Sequence, residues 1–245
     1  MHLPVGSAAV LDDPQLTIAR RELIRHHSVL QLIYADWYAL ITSHLPAKEG
    51  PVLELGSGGG FFDTVCPHVL TSDVMRLPSV DVVLDARGLP FADQSLRSIV
   101  GTNVLHHVSD IARFLTEAER VLKPGGRLIF IEPWVTWLSR MVYRRFHHEP
   151  FDPTIGWDIV GSGPLSGANG ALPWIVFDRD RHLFEDRFPQ LRLREIRPLM
   201  PVSYLLCGGV GRAWNLPAIL YRICRRLERP FDEAGLFAGI VVESI

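Results

Sequence analysis

Apolar positions in the first fifty residues recur at helical spacing: Leu16, Ala19, Leu23 and Ile24, then Leu30, Ile33, Trp37, Leu40 and Ile41. They predict two helices over 14–45, bent at His26-His27-Ser28, with Pro46 to Gly50 ending the segment. From Pro51 the pattern changes to short continuous apolar runs bounded by turn residues, which predict strands at 51–55, 68–72, 81–84, 98–102 and 127–131. Ile111, Phe114, Leu115, Ala118, Val121 and Leu122 form the stripe of a helix that starts at Ser109-Asp110 and stops at Lys123-Pro124-Gly125-Gly126. Beyond it, helical spacing returns in 134–146 and 178–188, and further strands are predicted at 191–196 and 238–244.

The first strand carries the chemistry. Its apolar run holds one acid, Glu54, and breaks into a loop with Gly56, Ser57, Gly58 and Gly60. Bare glycines let a backbone approach a nucleotide closely, and a following helix would present free N–H groups. The dinucleotide fingerprint fails here, because its third glycine would fall on Phe61 or Asp63. A P-loop fails too, since no Lys-Ser or Lys-Thr follows. Asp73 ends the second strand, where one carboxylate can accept both hydroxyls of a ribose. A turn-capping aspartate is the plainer reading of the same residue. Asp85 closes the third strand and could accept an adenine amino group, with the Ala86 backbone reading the ring edge.

The acid-x-Gly-x-Gly-x-Gly loop resembles the first motif of class I S-adenosylmethionine-dependent methyltransferases. Three further blocks resemble the small-molecule branch of that family, in its order: Asp85-Ala86 with Leu89-Pro90-Phe91, then Leu105-His106-His107-Val108, then Arg120-Val121-Leu122-Lys123-Pro124-Gly125-Gly126. The resemblance covers about 50 to 133, a third of the chain. It implies an α/β, Rossmann-like sheet of seven mostly parallel strands, the last antiparallel, with helices on both faces. It also implies S-adenosylmethionine as cofactor and S-adenosylhomocysteine as product, held by Glu54, Gly56, Ser57, Gly58, Gly60, Asp73, Val74, Asp85, Ala86, Asn103 and Tyr34. Two departures stand out. Arg97 occupies a position usually held by aspartate, and the helix after Gly60 is cut short by Pro67.

The expected organisation is one domain over 1–245: a helical N-terminal segment to 50, a cofactor-binding core at 51–133, and acceptor-side insertions at 134–190 and 200–237. The N-terminal helices either pack plainly or form a lid, for which Tyr34, Trp37 and Tyr38 suit. The net charge of −2 and pI near 6.5 give no footprint for nucleic acid. Three scattered cysteines, Cys66, Cys207 and Cys224, argue against disulfides or a zinc finger. Met1 to Val10 does not read as a signal peptide, and no apolar run is long enough to span a membrane, so the expected compartment is the cytoplasm. Only Lys48 and Lys123 are lysines among 25 basic residues, an arginine bias of GC-rich bacterial genomes.

Methyl transfer to oxygen usually needs a base, and histidine suits neutral pH. His106 and His107 follow the fourth strand; His147 and His148 lie in the first insertion, with Glu149 or Asp152 as an orienting acid. A magnesium site at His147, His148, Glu149 and Asp152 is disfavoured, because magnesium prefers oxygen ligands. Trp134, Trp137, Tyr143, Trp157 and Trp174 in the insertions suggest a bulky acceptor such as a natural-product intermediate. Arg212, Arg222, Arg225, Arg226 and Arg229 surround Trp214, Leu216, Leu220, Ile223 and Leu227: either a solvated basic face or a contact for an anionic substrate, a carrier protein or a membrane. The expected activity is methylation of a small molecule, on oxygen rather than nitrogen or carbon. A cofactor-dependent cyclisation or rearrangement, and a non-catalytic cofactor-binding partner, are the alternatives.

Overall fold

Alternate strand residues join the cores on the two faces of the sheet, whose strands stand in the order 3-2-1-4-5-7-6. The computed structural model describes residues 11–146, 149–159, 163–206 and 217–245, with the side chain of Phe146 set aside. β1 (Val52–Leu55), β2 (Val69–Asp73), β3 (Val82–Val83), β4 (Leu96–Thr102) and β5 (Leu122–Pro133) are parallel. β6 (Leu191–Leu199) pairs antiparallel with β7 (Phe237–Ser244), which is also antiparallel to β5. Chain direction reverses its march across the sheet between β1 and β4, and ligands of open α/β sheets bind at such a point, outside the strands' carboxyl ends.

On one face, α1 (Pro14–His26) and α2 (Ser28–His44) cover Val52, Val100, Ile129, Ile131 and Val241 with Ile24, Leu30, Ile33, Trp37 and Ile41. The opposite face sets Leu53, Ile99, Leu128, Phe130 and Val242 against Phe114 and Leu115 of α3 (Ile111–Val121) and against Leu172, Phe177 and Phe184. Asp110 caps α3 by accepting from the Arg113 N–H at 2.9 Å. The bend predicted between the first two helices is at His27, whose ring caps α2 at Leu30. Among the described residues, further helices are α4 (Trp137–Phe146), α5 (Arg181–Arg187), α6 (Ser203–Leu206) and α7 (Ala218–Glu228), with a single α-helical turn at Leu172–Trp174.

Three expectations need correction. No α-helix follows the glycine loop; two three-residue 3₁₀ turns, Ser57–Gly59 and Phe62–Thr64, take its place. Consecutive glycines favour helix poorly, and the Phe61 and Phe62 rings instead pack on Tyr38 at centroid distances of 5.0 and 5.1 Å. The third strand shrinks to two residues. The helix expected over 178–188 is split into a π-turn, Ile175–Arg179, and α5, with Trp157 donating to Asp180 at 2.9 Å near the joint.

Candidate active site at the carboxyl edge of the sheet

Parallel strands deliver Glu54, Asp73 and Glu132 to one edge, and the segment after β4 adds Asn103, His106 and His107. Gly56 turns the chain at φ +64°, a left-handed conformation that a side chain would strain, and a Cβ there would lie 2.8 Å from Val104. At Gly58 a Cβ would lie 2.6 Å from Thr17 of α1 and 2.8 Å from the Asp73 carboxylate. The loop therefore fits only as bare backbone. Its Gly58 N–H donates to Asp73 Oδ2 at 3.3 Å, while Asp73 Oδ1 accepts from Met75 N at 2.9 Å. Ser57 fastens the turn to β2, accepting from the Ser72 N–H at 3.1 Å. Gly60 lies beneath the Tyr38 hydroxyl, which accepts from Phe61 N at 3.0 Å.

Burial dominates the electrostatics of this cradle. Glu54 is pushed up to about 7, mainly by loss of solvent and further by Asp63 and Asp73, with Ser57 and Arg21 opposing. Asp73 is raised by burial as well, against its backbone hydrogen bonds. The Thr17 hydroxyl, buried beside Gly58, has no hydrogen-bond partner among the described residues. Two desolvated carboxylates, an unpartnered hydroxyl and bare backbone suit a ligand bearing an ammonium group and a ribose.

Asp85 and Ala86 lie beyond β3, with Asp85 half-exposed and its carboxylate gripped by Arg87 at 2.6 Å. That guanidinium holds it below the usual carboxylate range. Val74 is half-exposed next to Asp73. Asn103 adopts φ +55° and donates its N–H to Ile131 O at 2.8 Å. Tyr34 is buried and stacks obliquely on Phe61 at 5.9 Å, behind the loop.

One layer further along the edge lies a buried acid–base cluster. Glu132 is fully buried; its Oε1 accepts from Val104 N and Leu105 N, both at 2.8 Å, and its Oε2 meets His106 Nδ1 at 2.7 Å. His106 Nε2 faces Glu149 Oε2 at 3.5 Å, and His107 Nε2 faces Glu149 Oε1 at 4.0 Å. His107 Nδ1 lies 3.1 Å from Gly167 O, which fixes that nitrogen as the donor and leaves Nε2 with a lone pair. The two rings are shifted in opposite directions. Burial would lower His106, but Glu132 and Glu149 outweigh it and push it up to about 10. Burial, reinforced by the His106 charge, pulls His107 down to about 4.

The first insertion is stitched over this cluster. Asn169 N donates to His106 O at 2.9 Å, and the Asn169 side chain bridges both backbone groups of Asp152. Asp12 accepts from Leu165 N, Ser166 N and the Ser166 hydroxyl, tying the same loop to the start of the described chain. Among the described residues, His106, His107 and Glu149 also form a group whose donor atoms lie within 4.8 Å of one another. In this group the raised His106 places a positive charge against the Glu149 carboxylate. His147 and His148 lie outside the described residues, so the magnesium arrangement rests there on Glu149 and Asp152 alone. Asp152 points elsewhere, accepting from Thr154 N and Oγ1. Glu132 was missed by the sequence reading, although an acid ending an apolar run is the same signal that marks Glu54.

Two other expectations change. Trp134, Tyr143 and Trp157 are buried in the core, Tyr143 stacked on Phe151 at 4.5 Å, so their aromatic surface is spent on packing and does not speak for a bulky acceptor. Trp174 is partly buried on the same core, and Trp137 faces outward. Trp37 and Tyr38 are likewise core residues; α1 is the helix that covers the glycine loop. Arg225 is not part of a solvated basic face, because it pairs with Asp36, Glu228 and Asp232. Arg212, Trp214 and Leu216 lie outside the described residues.

Residues 53–130 match the family model described as a methyltransferase domain. The demethylmenaquinone methyltransferase of Symbiobacterium thermophilum is 28% identical over 149 residues, covering 59% of this chain and 57% of that protein. A phthiotriol/phenolphthiotriol dimycocerosates methyltransferase of Mycobacterium ulcerans is 40% identical over 117 residues, 40% of this chain and 43% of that one. A highly reducing polyketide synthase from Alternaria alternata is matched over only 5% of its length, at 27% identity over 46% of this chain. The chain thus spans less than two thirds of the curated relatives it matches. Among solved structures, an S-adenosylmethionine-dependent methyltransferase from Thermotoga maritima shares the fold, with a TM-score of 0.56 at 15% identity over 95% of this chain and 98% of that one. Residues 53–130 thus match a methyltransferase domain, and the chain has the fold of class I methyltransferases.

Proposed function

We propose that this protein methylates an oxygen of a small-molecule acceptor, using the glycine cradle for the cofactor and the histidine pair for the acceptor's proton. The observation that carries the reading is adjacency. Val104 packs on Gly56 while its own N–H is held by Glu132, so the cradle and the acid–base cluster share one residue. S-adenosylmethionine, when bound, supplies a methyl group already activated on a sulfonium.

The chain's own residues then have three tasks. Glu54 and Asp73 hold the ammonium and ribose ends of the cofactor, with Gly56, Ser57, Gly58, Gly60, Val74 and Asn103 shaping the walls and Tyr34 behind the loop. Asp85 and Ala86 take the adenine edge once Asp85 exchanges its Arg87 contact. α1 is the lid, since Thr17 seals the loop at Gly58. Methyl transfer to oxygen releases the hydroxyl proton as the oxygen–carbon bond forms; His107 Nε2, kept neutral beside the His106 cation, receives it, with Glu149 orienting the rings. Burial of the cluster keeps water from competing.

Relatives named for demethylmenaquinone and for phthiotriol/phenolphthiotriol dimycocerosates support a small-molecule acceptor. Incubation with the cofactor and a panel of phenols and aliphatic alcohols tests this by mass spectrometry. The expected product is an O-methyl ether formed in equal amount to S-adenosylhomocysteine. Cofactor binding with methylation only of amines or carbon acids would exclude oxygen as the acceptor atom.

A further inference from the structure

Helix α7 is inside out. Its buried side chains are Tyr221 and Glu228, and its aliphatic residues face solvent. Ile219, Leu220, Ile223 and Leu227 form one outward stripe about 12 Å long, at 1.5 Å per residue. Leu227 is 69% exposed, and Phe231 on the following 3₁₀ turn is 67% exposed. The inward face is held by polar contacts. The Tyr221 hydroxyl donates to Asp36 at 2.7 Å, and Glu228 accepts from Val202 N, Ser203 N and the Ser203 hydroxyl at 2.5–2.9 Å. The helix is therefore anchored through the Tyr221 ring and hydroxyl and the Glu228 carboxylate, and its aliphatic stripe is left outward.

The exposed charges on α7 are all arginines. Arg222, Arg226 and Arg229 flank the aliphatic stripe, exposed and without an ion-pair partner among the described residues. The one exposed acid in 218–234, Glu233, comes after Phe231. A second helix, which contacts the 3₁₀ turn after α7, has similar exposed chemistry. Thr136, just before α4, hydrogen-bonds to Ala234 O and Gly235 O, and α4 exposes Trp137 and Met141 beside Arg140, Arg144 and Arg145.

We propose that this surface, centred on Ile223 and Leu227, docks the protein on an anionic lipid bilayer. An aliphatic stripe lying parallel to the surface inserts at the headgroup boundary while the flanking arginines meet lipid phosphates. A second copy of this chain is a poor occupant, because a two-fold contact would set the arginine row against itself.

Vesicle flotation of the full chain tests the proposal, using phosphatidylcholine alone and phosphatidylcholine mixed with phosphatidylglycerol. The protein is expected to float with the anionic vesicles, to float at least about tenfold less with the neutral ones, and to be released by high salt. The double substitutions Ile223→Glu with Leu227→Glu, and Arg222→Glu with Arg226→Glu, are each expected to weaken binding about tenfold or more. Both pairs are exposed, so thermal melting should be unchanged and serves as the folding control. Absence of flotation, equal flotation on neutral vesicles, or unaltered binding by both variants would overturn the proposal. A dimer in light scattering that Ile223→Glu with Leu227→Glu dissociates would overturn it too, assigning the face to a second copy.

Discussion

Glu132→Ala is expected to destabilise the protein by about 3–5 kcal/mol, the scale of removing one partner from a buried charged pair. The substitution leaves the Val104 and Leu105 N–H groups without their acceptor, and takes from His106 the closer of its two carboxylates. Thermal or denaturant unfolding measures the loss. Glu132→Gln keeps an acceptor for the two N–H groups and is expected to recover part of it. The effect depends on pH with a definite sign. His106 is raised in the folded state from 6.5 to about 10, so the stability this charge contributes is fully present below about 6.5 and is lost as pH rises through about 10. The margin of wild type over Glu132→Ala should therefore narrow on the alkaline side. A margin that grows there, or a Glu132→Ala protein as stable as wild type, would contradict the assignment of this network as the pin of the site.

The second large effect concerns the rate. His107→Ala is expected to lower turnover about 10²–10³-fold while leaving cofactor affinity little changed, because the ring's contacts are with Glu149 and Gly167 O and none is with the glycine loop. Its low pKa gives a second readout. Burial and the His106 cation hold His107 near 4, so it stays in its proton-accepting form well below the ordinary histidine range. The rate should consequently show no acidic limb at 6.5, only one near 4. A rate that falls off at 6.5, or turnover retained in His107→Ala, would assign the proton to another group.

Much of the sheet was readable because its strands are continuous apolar runs, and the glycine loop and the Leu105-His106-His107-Val108 block mark which strand ends carry chemistry. The missing helix after Gly60 was harder to see. Pro67 announced that it would be short, but the competing attraction of Phe61 and Phe62 for Tyr38 is a tertiary contact across more than twenty residues. Glu149 was picked as an orienting acid for His148. Its observed partners, His106 and His107, come from a different segment, and only folding of the insertion through Asn169 and Gly167 brings them together. The arginine-rich helix shows the limit of periodicity. Spacing identifies two faces, but not which is inward, and here Asp36, Val202 and Ser203 capture the polar one.

The central claim is that the edge holding Glu54, Asp73 and the glycine loop binds S-adenosylmethionine. Calorimetric titration with S-adenosylmethionine and S-adenosylhomocysteine, on wild type and Asp73→Ala, addresses it most directly. Both ligands are expected to bind the wild type, and Asp73→Ala to weaken both about 10–100-fold, the loss of charge-assisted hydrogen bonds worth about 1.5–3 kcal/mol. Wild-type protein that binds neither ligand, or a correctly folded Asp73→Ala that binds both as tightly, would contradict it.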